Sequence, residues 1–320
     1  MSTVATTRYD AVVLLGFGGP TNTAEIRPFL DRVLAGRPVP PSRYEEVVRH
    51  YFDIGGVSPY NEFTRRQAIG VQRALCEYGV DTPVMVAYRH VEPFIPDVMQ
   101  SLARENARRI CAIPLAPHQS AASWDAYVRG AQDALESIGG GAPIVDYIDP
   151  FFDHPSFIGA HADRLDDARA HLGGEDAHDA AIVFTAHSIP VATPGADLYV
   201  RQLQRTAEEI AAETRIARWE IAYQSRSGSP REPWLGPDVR DVMRGLPERG
   251  ISAAIVAPIG FLCDHVEVLY DLDIDVKTIA HSVGVRMQRA TAVNDHPGFT
   301  RMLAELTLAR VQRAPGSEGA

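Results

Sequence analysis

Short apolar runs alternate with helical patterns along the whole chain, and this alternation restricts the fold more than any other feature of the sequence. Eight runs have the composition of buried strands, and each is closed by a polar or glycine-rich turn. They cover residues 11–15, 84–87, 109–115, 144–147, 180–185, 219–223, 253–258 and, more weakly, 284–289. Helical patterns lie between them, for example at 65–78, 94–106, 124–137 and 198–214. Strands alternating with helices predict an α/β fold with parallel sheets of the doubly wound type.

The two halves of the chain resemble each other in the motifs that follow their strands. In the first half the strands lead into LLGFGGP, YRHVEPF and PLAPHQS, and in the second into FTAHSIP, YQSRSGSP and PIGFLCDH. Ligands of open parallel sheets bind beyond the carboxyl ends of the strands, where all these motifs fall. We therefore expect two Rossmann-like lobes, residues 1–148 and 149–320, with an active-site cleft between them and a last helix that can pack back on the first lobe.

Composition narrows the choice of partner and compartment. The net charge of −10 argues against a nucleic-acid partner, and no apolar run approaches the ~20 residues that span a bilayer, so no integral membrane contact is expected. The first residues, MSTVATTRYD, lack the apolar core of a signal peptide. The three cysteines, Cys76, Cys111 and Cys263, are far apart and form no CxxC pair, which favours a reducing compartment over a disulfide framework. These features predict a cytoplasmic protein.

Two polar segments of the second half carry the groups best suited to chemistry. FTAHSIP places His187 at the end of a strand, and FLCDHVEVLYDLDID contains Glu267, Asp271 and Asp275. In an α-helix the i, i+4, i+8 spacing puts these carboxylates on one face, where like charges weaken the helix by ~0.2–0.5 kcal/mol per pair. A cation moving along this row towards His187 would explain such an arrangement.

Structural explanations for the same residues are also open. His187 could equally be a histidine bonded to a neighbouring carbonyl. Asp264 and Glu267 have the spacing of a capping box, the outer carboxylates could form a solvated helix face, and a π-bulge would change which of them align. We favour the chemical interpretation because His187 lies at the carboxyl end of a strand.

Two loops of the first half have both a local and a ligand-binding interpretation. GFGGP does not complete a dinucleotide-binding GxGxxG motif, because residue 21 is Thr; it is typical of a turn opening a helix at 28–34, or of a glycine-lined approach for a flat ligand with Phe17 as the contacting ring. In IGGVSPYN, Ser58 and Asn61 could cap the next helix, or Ser58 and the backbone amides could meet a carboxylate.

Taken together, the motifs resemble those of the ferrochelatases, which insert Fe²⁺ into a porphyrin. The resemblance rests on LLGFGGP, HYFDIGGVSPYN, YRHVEPF, PLAPHQSAAS, FTAHSIP, YQSRSGSPREPWLGP, PIGFLCDHVEVLYDLD and NDHPGF, in that order along nearly the whole chain. It is strongest for the coproporphyrin ferrochelatases of Gram-positive bacteria, including actinobacteria. It implies two Rossmann-like lobes without NAD and a lyase of haem biosynthesis.

The resemblance also implies roles for individual residues. His187 and Glu267 would be the catalytic inner pair and would bind the metal together with Asp271 and Asp275. The substrate would be bound by Phe17, Arg32, Tyr51, Ser58, Arg89, His90, Ser120 and Tyr127. Phe17 stands where some relatives have a Tyr that ligates the product iron, and a phenyl ring cannot do so. Fe²⁺ is expected as a substrate and no cofactor is required, since three cysteines are too few to hold a two-iron, two-sulfur cluster by four-Cys ligation.

The expected reaction is insertion of Fe²⁺ into coproporphyrin III with release of two protons, giving coprohaem. His187, neutral near pH 7 if unperturbed, would accept a proton, and Glu267 would bind the metal or relay the second proton. The segment 28–51 is rich in arginine and poor in large apolar residues, whereas protoporphyrin enzymes have an apolar lip there. The rim offers five arginines for propionates, which are Arg27, Arg32, Arg37, Arg43 and Arg49.

Three alternatives remain open at this level. They are a protoporphyrin IX ferrochelatase, a porphyrin or haem carrier without chemistry, and a cobalt or nickel chelatase. Upstream and downstream enzymes of haem biosynthesis are possible partners in each case.

Overall fold

Two four-stranded parallel sheets form the framework of the protein. The computed structural model describes residues 9–36, 39–174, 176–227 and 232–313; Arg37, part of the YQSRSGSP segment and the expected polar tail at 314–320 lie outside them. The first sheet contains β1 (Ala11–Gly16), β2 (Val84–Tyr88), β3 (Arg109–Pro114) and β4 (Ile144–Tyr147). The second contains β5 (Ala181–His187), β6 (Trp219–Gln224), β7 (Ala253–Ala257) and β8 (Arg286–Arg289).

Both sheets have the same topology. The strand order is β2-β1-β3-β4 in the first and β6-β5-β7-β8 in the second, and every pairing is parallel. The central strands β1, β5 and β7 are buried on both faces, as near-continuous apolar runs in parallel sheets require. The predicted fold class, with two lobes of parallel sheets flanked by helices, is confirmed, as are all eight strands.

Twelve helices occur in the described residues and flank or connect the strands. They are α1 (Ile26–Val33), α2 (Pro41–Asp53), α3 (Tyr60–Glu77), α4 (Ile95–Arg104), α5 (Trp124–Ile138), α6 (Pro155–Leu172), α7 (Asp176–Asp179), α8 (Ala196–Glu213), α9 (Val239–Gly245), α10 (Val266–Tyr270), α11 (Lys277–Ser282) and α12 (Pro297–Arg313). The helices predicted from periodicity are confirmed with ends shifted by a few residues. A π-helical segment (Asp271–Val276) joins α10 to α11.

The last helix, α12, packs on the first half of the chain. Tyr78 at the end of α3 donates a hydrogen bond to Glu305 (2.7 Å), and Arg301 donates one to Glu77 (2.7 Å). Gly70 lets the helices approach closely, because a Cβ there would lie 2.7 Å from Thr300. The chain therefore returns to α3 after completing the second sheet. The division into lobes at residues 148 and 149 stays a prediction.

Groups beyond the carboxyl ends of the strands contact each other across the two halves of the chain, and the space between these contacts is called the cleft. After β3, Nε2 of His118 lies 2.9 Å from the Thr206 hydroxyl of α8, and the Gln119 amide donates to the Gln202 side chain (2.6 Å). At the other side, the ring of Tyr60 in α3 lies 6.1 Å from that of His265. Among the described residues, the helices are too short or too polar to cross a bilayer.

Candidate active site

His187 is fixed at the end of β5 with one ring nitrogen directed into the cleft. Its Nδ1 donates a hydrogen bond to the Ser188 carbonyl (2.5 Å), and the Tyr199 hydroxyl donates to the His187 carbonyl (3.1 Å). The first bond sets the ring so that Nε2 faces Glu267, with Nε2 and Oε1 3.5 Å apart. The structure thus brings together the two residues predicted as the inner pair.

Glu267 lies between two imidazoles. Its Oε2 is 3.8 Å from Nε2 of His265, whereas its Oε1 is the atom that faces His187. Nδ1 of His265 is buried and finds no hydrogen-bond partner among the described residues. His265 was not among the predicted site residues; the available signal was its position two residues before Glu267, after the strand that ends at Ala257. The inner site therefore contains three titratable groups.

The predicted capping box is wrong. The N-cap of α10 is His265, one residue later than Asp264. The backbone amide of Asp264, which a capping box would direct to Glu267, instead donates to Asn294 (2.8 Å), and the Asp264 carboxylate accepts from Arg289 (2.9 Å). Because a buried arginine competes for Asp264, the Glu267 carboxylate is left to face the histidines.

The acidic row does not run along a regular α-helix. Only Glu267 lies in α10, while Asp271 and Asp275 lie in the π segment. In an α-helix each four-residue step advances ~40° around the axis, so Asp275 would be rotated by ~80° from Glu267. A π turn takes more than four residues, so the step from Asp271 to Asp275 falls short of a full turn and reverses part of this rotation. The π segment therefore keeps the three carboxylates closer to one face than a regular helix would.

The two outer carboxylates have different partners. Asp271 accepts a hydrogen bond from the hydroxyl of Ser225 (2.5 Å), a residue at the end of β6 with a left-handed backbone (φ 61°). Asp275 faces Nη1 of Arg240 at 3.7 Å, and Arg240 also forms a bidentate pair with Asp238. The inner carboxylate, Glu267, thus faces two imidazoles, whereas the outer end of the row is partly neutralised by Arg240.

His187 and Glu267 stabilise each other's charged forms. Burial lowers the pKa of His187, but the Glu267 carboxylate and the Ser188 carbonyl outweigh it and raise the pKa to about 9. Burial raises the pKa of Glu267, but the charge and hydrogen bond of His187 outweigh it and lower the pKa to about 2. At pH 7 the pair is therefore imidazolium and carboxylate. The condition attached to a neutral His187, an unperturbed pKa, is not met in the resting site, because Glu267 lies beside it.

The neighbouring groups differ from this pair. Burial lowers the pKa of His265, which is neutral at pH 7. Burial raises the pKa of Asp271 to about 7; the Ser225 hydrogen bond opposes this rise and the Glu267 charge adds to it. Near neutral pH, Asp271 exists in both protonation states, which suits proton transfer.

On the first lobe, aromatic rings gather after β1. The ring of Phe17 lies 4.5 Å from that of His90 and 6.0 Å from that of Phe29, and Phe29 in turn contacts Tyr51 at 6.1 Å. The Tyr60 hydroxyl accepts a hydrogen bond from the Phe17 amide (3.0 Å). The predicted substrate contacts Phe17, His90 and Tyr51 thus belong to one aromatic cluster, and it can offer ring faces to a flat ligand.

The predicted arginine contacts of the first lobe lie beside this cluster. Arg89 is positioned over the ring of Tyr127 (5.9 Å) and donates to the Ala122 carbonyl (3.3 Å). Arg32 donates its Nε to the His90 carbonyl (2.7 Å). Arg32, Arg89 and His90 also line a cavity of about 570 Å³ between α1, α4 and α5, and none of its described lining residues is His187 or Glu267.

The two predicted serine contacts are buried. The Ser58 hydroxyl accepts from the Tyr60 amide (3.4 Å), and the Ser120 hydroxyl lies 2.7 Å from that of Ser123. Asn61 does not cap α3 as one interpretation expected. Its side chain instead bonds both the amide (3.0 Å) and the carbonyl (2.9 Å) of Gly19, where a Cβ would come within 2.8 Å of Ser58.

Two of the described rim arginines are engaged with acidic neighbours. Arg27 forms a bidentate pair with Glu45, and Arg43 lies 2.9 Å from Glu46. Helix α2, which contains Arg43, also contacts the second half of the chain. The ring of its His50 stacks on that of Tyr270 in α10, with centroids 3.5 Å apart. The mouth of the cleft is therefore bridged by one ring contact beside Asp271.

A sequence model of the ferrochelatase family matches residues 9–311. The chain belongs to the ferrochelatase family. It is therefore an enzyme, a ferrochelatase. Among its relatives, the coproporphyrin III ferrochelatase of Mycolicibacterium paratuberculosis is 40% identical over 304 residues, covering 93% of this chain and 87% of the relative. The coproporphyrin III ferrochelatase of Nocardia farcinica is 38% identical over 305 residues, with the same coverage.

Solved structures support the family's fold at greater distance. SirB from Bacillus subtilis with Fe³⁺ aligns with a TM-score of 0.58 at 15% identity, covering 97% of both chains. DR2241 from Deinococcus radiodurans, described as similar to chelatases, aligns with a TM-score of 0.52 at 14% identity over 94% of this chain and 54% of its own. At such identities the similarity concerns the fold alone, and it agrees with the two parallel sheets of this ferrochelatase-family chain.

Proposed function

We propose that this protein inserts Fe²⁺ into coproporphyrin III and releases two protons, forming coprohaem. The observation that carries the proposal is the 38–40% identity to coproporphyrin III ferrochelatases over 93% of the chain. The cleft adds a physical reason, since it combines a charged carboxylate, a neutral imidazole and a carboxyl with a pKa of about 7. Metallation needs a place for the cation and acceptors for two pyrrole protons.

Glu267 is the metal-binding carboxylate in this proposal, and Asp271 handles protons. A pKa of about 2 keeps Glu267 charged, so it offers an oxygen ligand to Fe²⁺ at any neutral pH. Asp271, with a pKa of about 7, can take up and release a proton near neutrality. Asp275 is shared with Arg240 and serves the outer end of the row. Of the two roles considered for Glu267, binding the metal or relaying a proton, we therefore propose binding.

His187 becomes a proton acceptor only when the cation arrives. In the resting pair it carries a proton, because Glu267 raises its pKa to about 9. Fe²⁺ beside Glu267 cancels that carboxylate's effect and repels the imidazolium, so His187 releases its proton to ionised Asp271, which passes it along the acidic row to solvent. As the cation leaves Glu267 for the macrocycle, the neutral imidazole takes one pyrrole proton, and Asp271, ionised again, takes the other. The electrostatics of the pair therefore predict that the cation binds first and that the pyrrole nitrogens lose their protons afterwards.

The aromatic cluster of the first lobe holds the macrocycle, with arginines at its edge. Phe17 and His90 present ring faces, and Arg89 and Arg32 lie beside them. Coproporphyrin carries four propionates, which guanidinium groups bind well. Two apolar side chains, Phe52 and Val57, are exposed next to the rim, so the lip is not wholly polar.

The test is metallation by the purified protein with anaerobic Fe²⁺, comparing coproporphyrin III with protoporphyrin IX at matched solubility and without lipid. We expect much faster turnover of coproporphyrin III. Equal or faster turnover of protoporphyrin IX would refute the assignment of coproporphyrin III as the substrate. Tight porphyrin binding without turnover would indicate a carrier, and preference for Co²⁺ or Ni²⁺ would indicate a different chelatase. Glu267→Gln serves as the inactive control.

The remaining expectations stay predictions. They are the cytoplasmic location, the absence of an iron–sulfur cluster, and contacts with upstream and downstream enzymes of haem biosynthesis.

A further inference from the structure

Arg289, the last residue of β8, places a buried guanidinium between two carboxylates of the acidic segment. Its side chain is 10% exposed. Nη1 donates to Oδ1 of Asp264 (2.9 Å), and Nε donates to Oδ1 of Asp273 (2.8 Å). Charge-assisted bonds of this kind are short and directional, and the planar fork of arginine fixes the angle between its two partners. Arg289 therefore joins two points of one chain segment.

These two points enclose the groups assigned to chemistry. Asp264 lies three residues before Glu267, and Asp273 lies two residues after Asp271. Asp264 is held further by the Asn294 side chain (3.0 Å). Arg289 and Asn294 thus both anchor the start of the segment at Asp264. Of these two residues, Arg289 also binds the π turn, at Asp273.

The segment needs such anchors because its own stability is low. The helix α10 has five residues, far fewer than an isolated helix requires, and it continues into a π turn, which is rare without tertiary support. The Glu267 side chain is not fixed by a cap. Further external bonds hold the middle of the segment. The Gln224 side-chain amide donates to the Glu267 carbonyl (2.6 Å), and the Ser225 hydroxyl donates to the Asp271 carboxylate (2.5 Å).

We propose that Arg289 is a positioning residue for metal insertion, which sets the separation of the Glu267 and Asp271 carboxylates by bridging Asp264 and Asp273. This deepens and rests on the proposed function, since it concerns the same cation. Arg289 does not touch the cation itself. A purely structural arginine would stabilise the fold without affecting how the cation is bound.

The experiment compares Arg289→Met with wild type in two assays. In the first, Co²⁺ alone is titrated and its visible absorption gives a dissociation constant, with Glu267→Gln identifying the site. In the second, the KM values for Fe²⁺ and for porphyrin are measured separately. Loss of a group that orients a metal ligand costs roughly tenfold or more in affinity, so we expect Co²⁺ binding and the KM for Fe²⁺ to weaken by that factor. The KM for porphyrin should not change.

Two matched variants complete the design. Arg289→Lys keeps the charge without the fork and should recover part of the loss. Arg286→Met removes an arginine at the other end of β8, which donates to the Leu172 carbonyl, and should leave metal binding unchanged. If Arg289→Met does not fold, Asp273→Ala replaces it, since that side chain is 34% exposed and its loss leaves Arg289 paired with Asp264.

The outcomes distinguish this proposal from the proposed function. A folded Arg289→Met or Asp273→Ala with a lower melting temperature but unchanged Co²⁺ affinity and Fe²⁺ KM would overturn the positioning role. If wild type binds Co²⁺ through Glu267 but metallates no porphyrin, the proposed function fails while the Co²⁺ series still decides the role of Arg289. If Co²⁺ does not bind, the KM for Fe²⁺ decides it.

Discussion

The ion pair of His187 and Glu267 can be tested without any substrate, through the protonation of the imidazole. Glu267→Gln keeps the size of the side chain and removes its charge. The pKa of His187 is about 9 against an ordinary value of 6.5, although burial, the largest single influence, acts to lower it. Without the carboxylate, burial remains while the main opposing influence is gone. We therefore expect the pKa of His187 to fall by at least about two units, to near or below 6.5.

The sign of the stability change follows from the same pKa values. In wild type, the raised pKa of His187 stabilises the folded state. This contribution is fully present below pH 6.5 and is lost as the pH rises through 9. Glu267 contributes stability that is present above its ordinary 4.5 and is lost as the pH falls through 2. The stability difference between wild type and Glu267→Gln should therefore shrink as the pH rises from 6.5 to 9.5. A lost capping box would instead give a constant difference of ~0.5–2 kcal/mol.

The measurement is the nitrogen chemical shift of the imidazoles as a function of pH, with His187→Gln assigning the signal. Thermal unfolding of both proteins across the same pH range provides the second readout. A wild-type His187 that titrates near 6.5, or a variant in which it still titrates near 9, would refute the ion pair as the cause of the shift.

Other imidazoles and the thiols offer equally direct tests. His187→Ala should lose at least ~100-fold in turnover while still binding porphyrin, because a general base is removed; near-normal turnover would contradict its role. Burial lowers the pKa of His118 to about 3 from an ordinary 6.5, so the folded state resists protonation that the unfolded state accepts. The stability advantage of wild type over His118→Gln, measured by urea unfolding, should thus shrink by about 2 kcal/mol between pH 7 and pH 5, and a constant advantage would disprove it. A thiol reagent should modify exposed Cys76 rapidly and buried Cys111 and Cys263 only on unfolding. Anaerobically purified protein should lack acid-labile sulfide, and stoichiometric sulfide would show that a cluster is present.

The fold could be predicted from the sequence because each strand and helix is indicated by a pattern within its own short segment. Strands such as Ala181–His187 are buried along almost their whole length, so they appear as uninterrupted apolar runs whose ends mark the carboxyl edge of a sheet. The position of His187 beyond such a run was therefore visible. Weak strands were harder to delimit: β8 begins at Arg286 because Gly284 takes a positive φ (76°) in the preceding turn.

The parts of the site that could not be predicted depend on partners distant in sequence. Asp264 has the spacing of a cap, but Arg289 and Asn294, 25 and 30 residues away, bind its carboxylate. The spacing of Glu267 and Asp271 is compatible with an α-helix, whereas the π turn that begins at Asp271 depends on tertiary support. The charge of His187 in the resting site likewise depends on Glu267, which lies 80 residues later in the chain. No local sequence pattern indicates that these two side chains are close together.

The return of α12 to the first half has a mechanical consequence. The chain passes between the sheets twice, once between β4 and β5 and again between β8 and α12, which is fixed on α3 by its contacts with Glu77 and Tyr78. Two connections act as a two-point hinge and favour rotation about the line that joins them over free separation. The stacking of His50 on Tyr270 joins the same two halves and would have to change in such a rotation. Any rotation of the halves would therefore act on the residue next to Asp271.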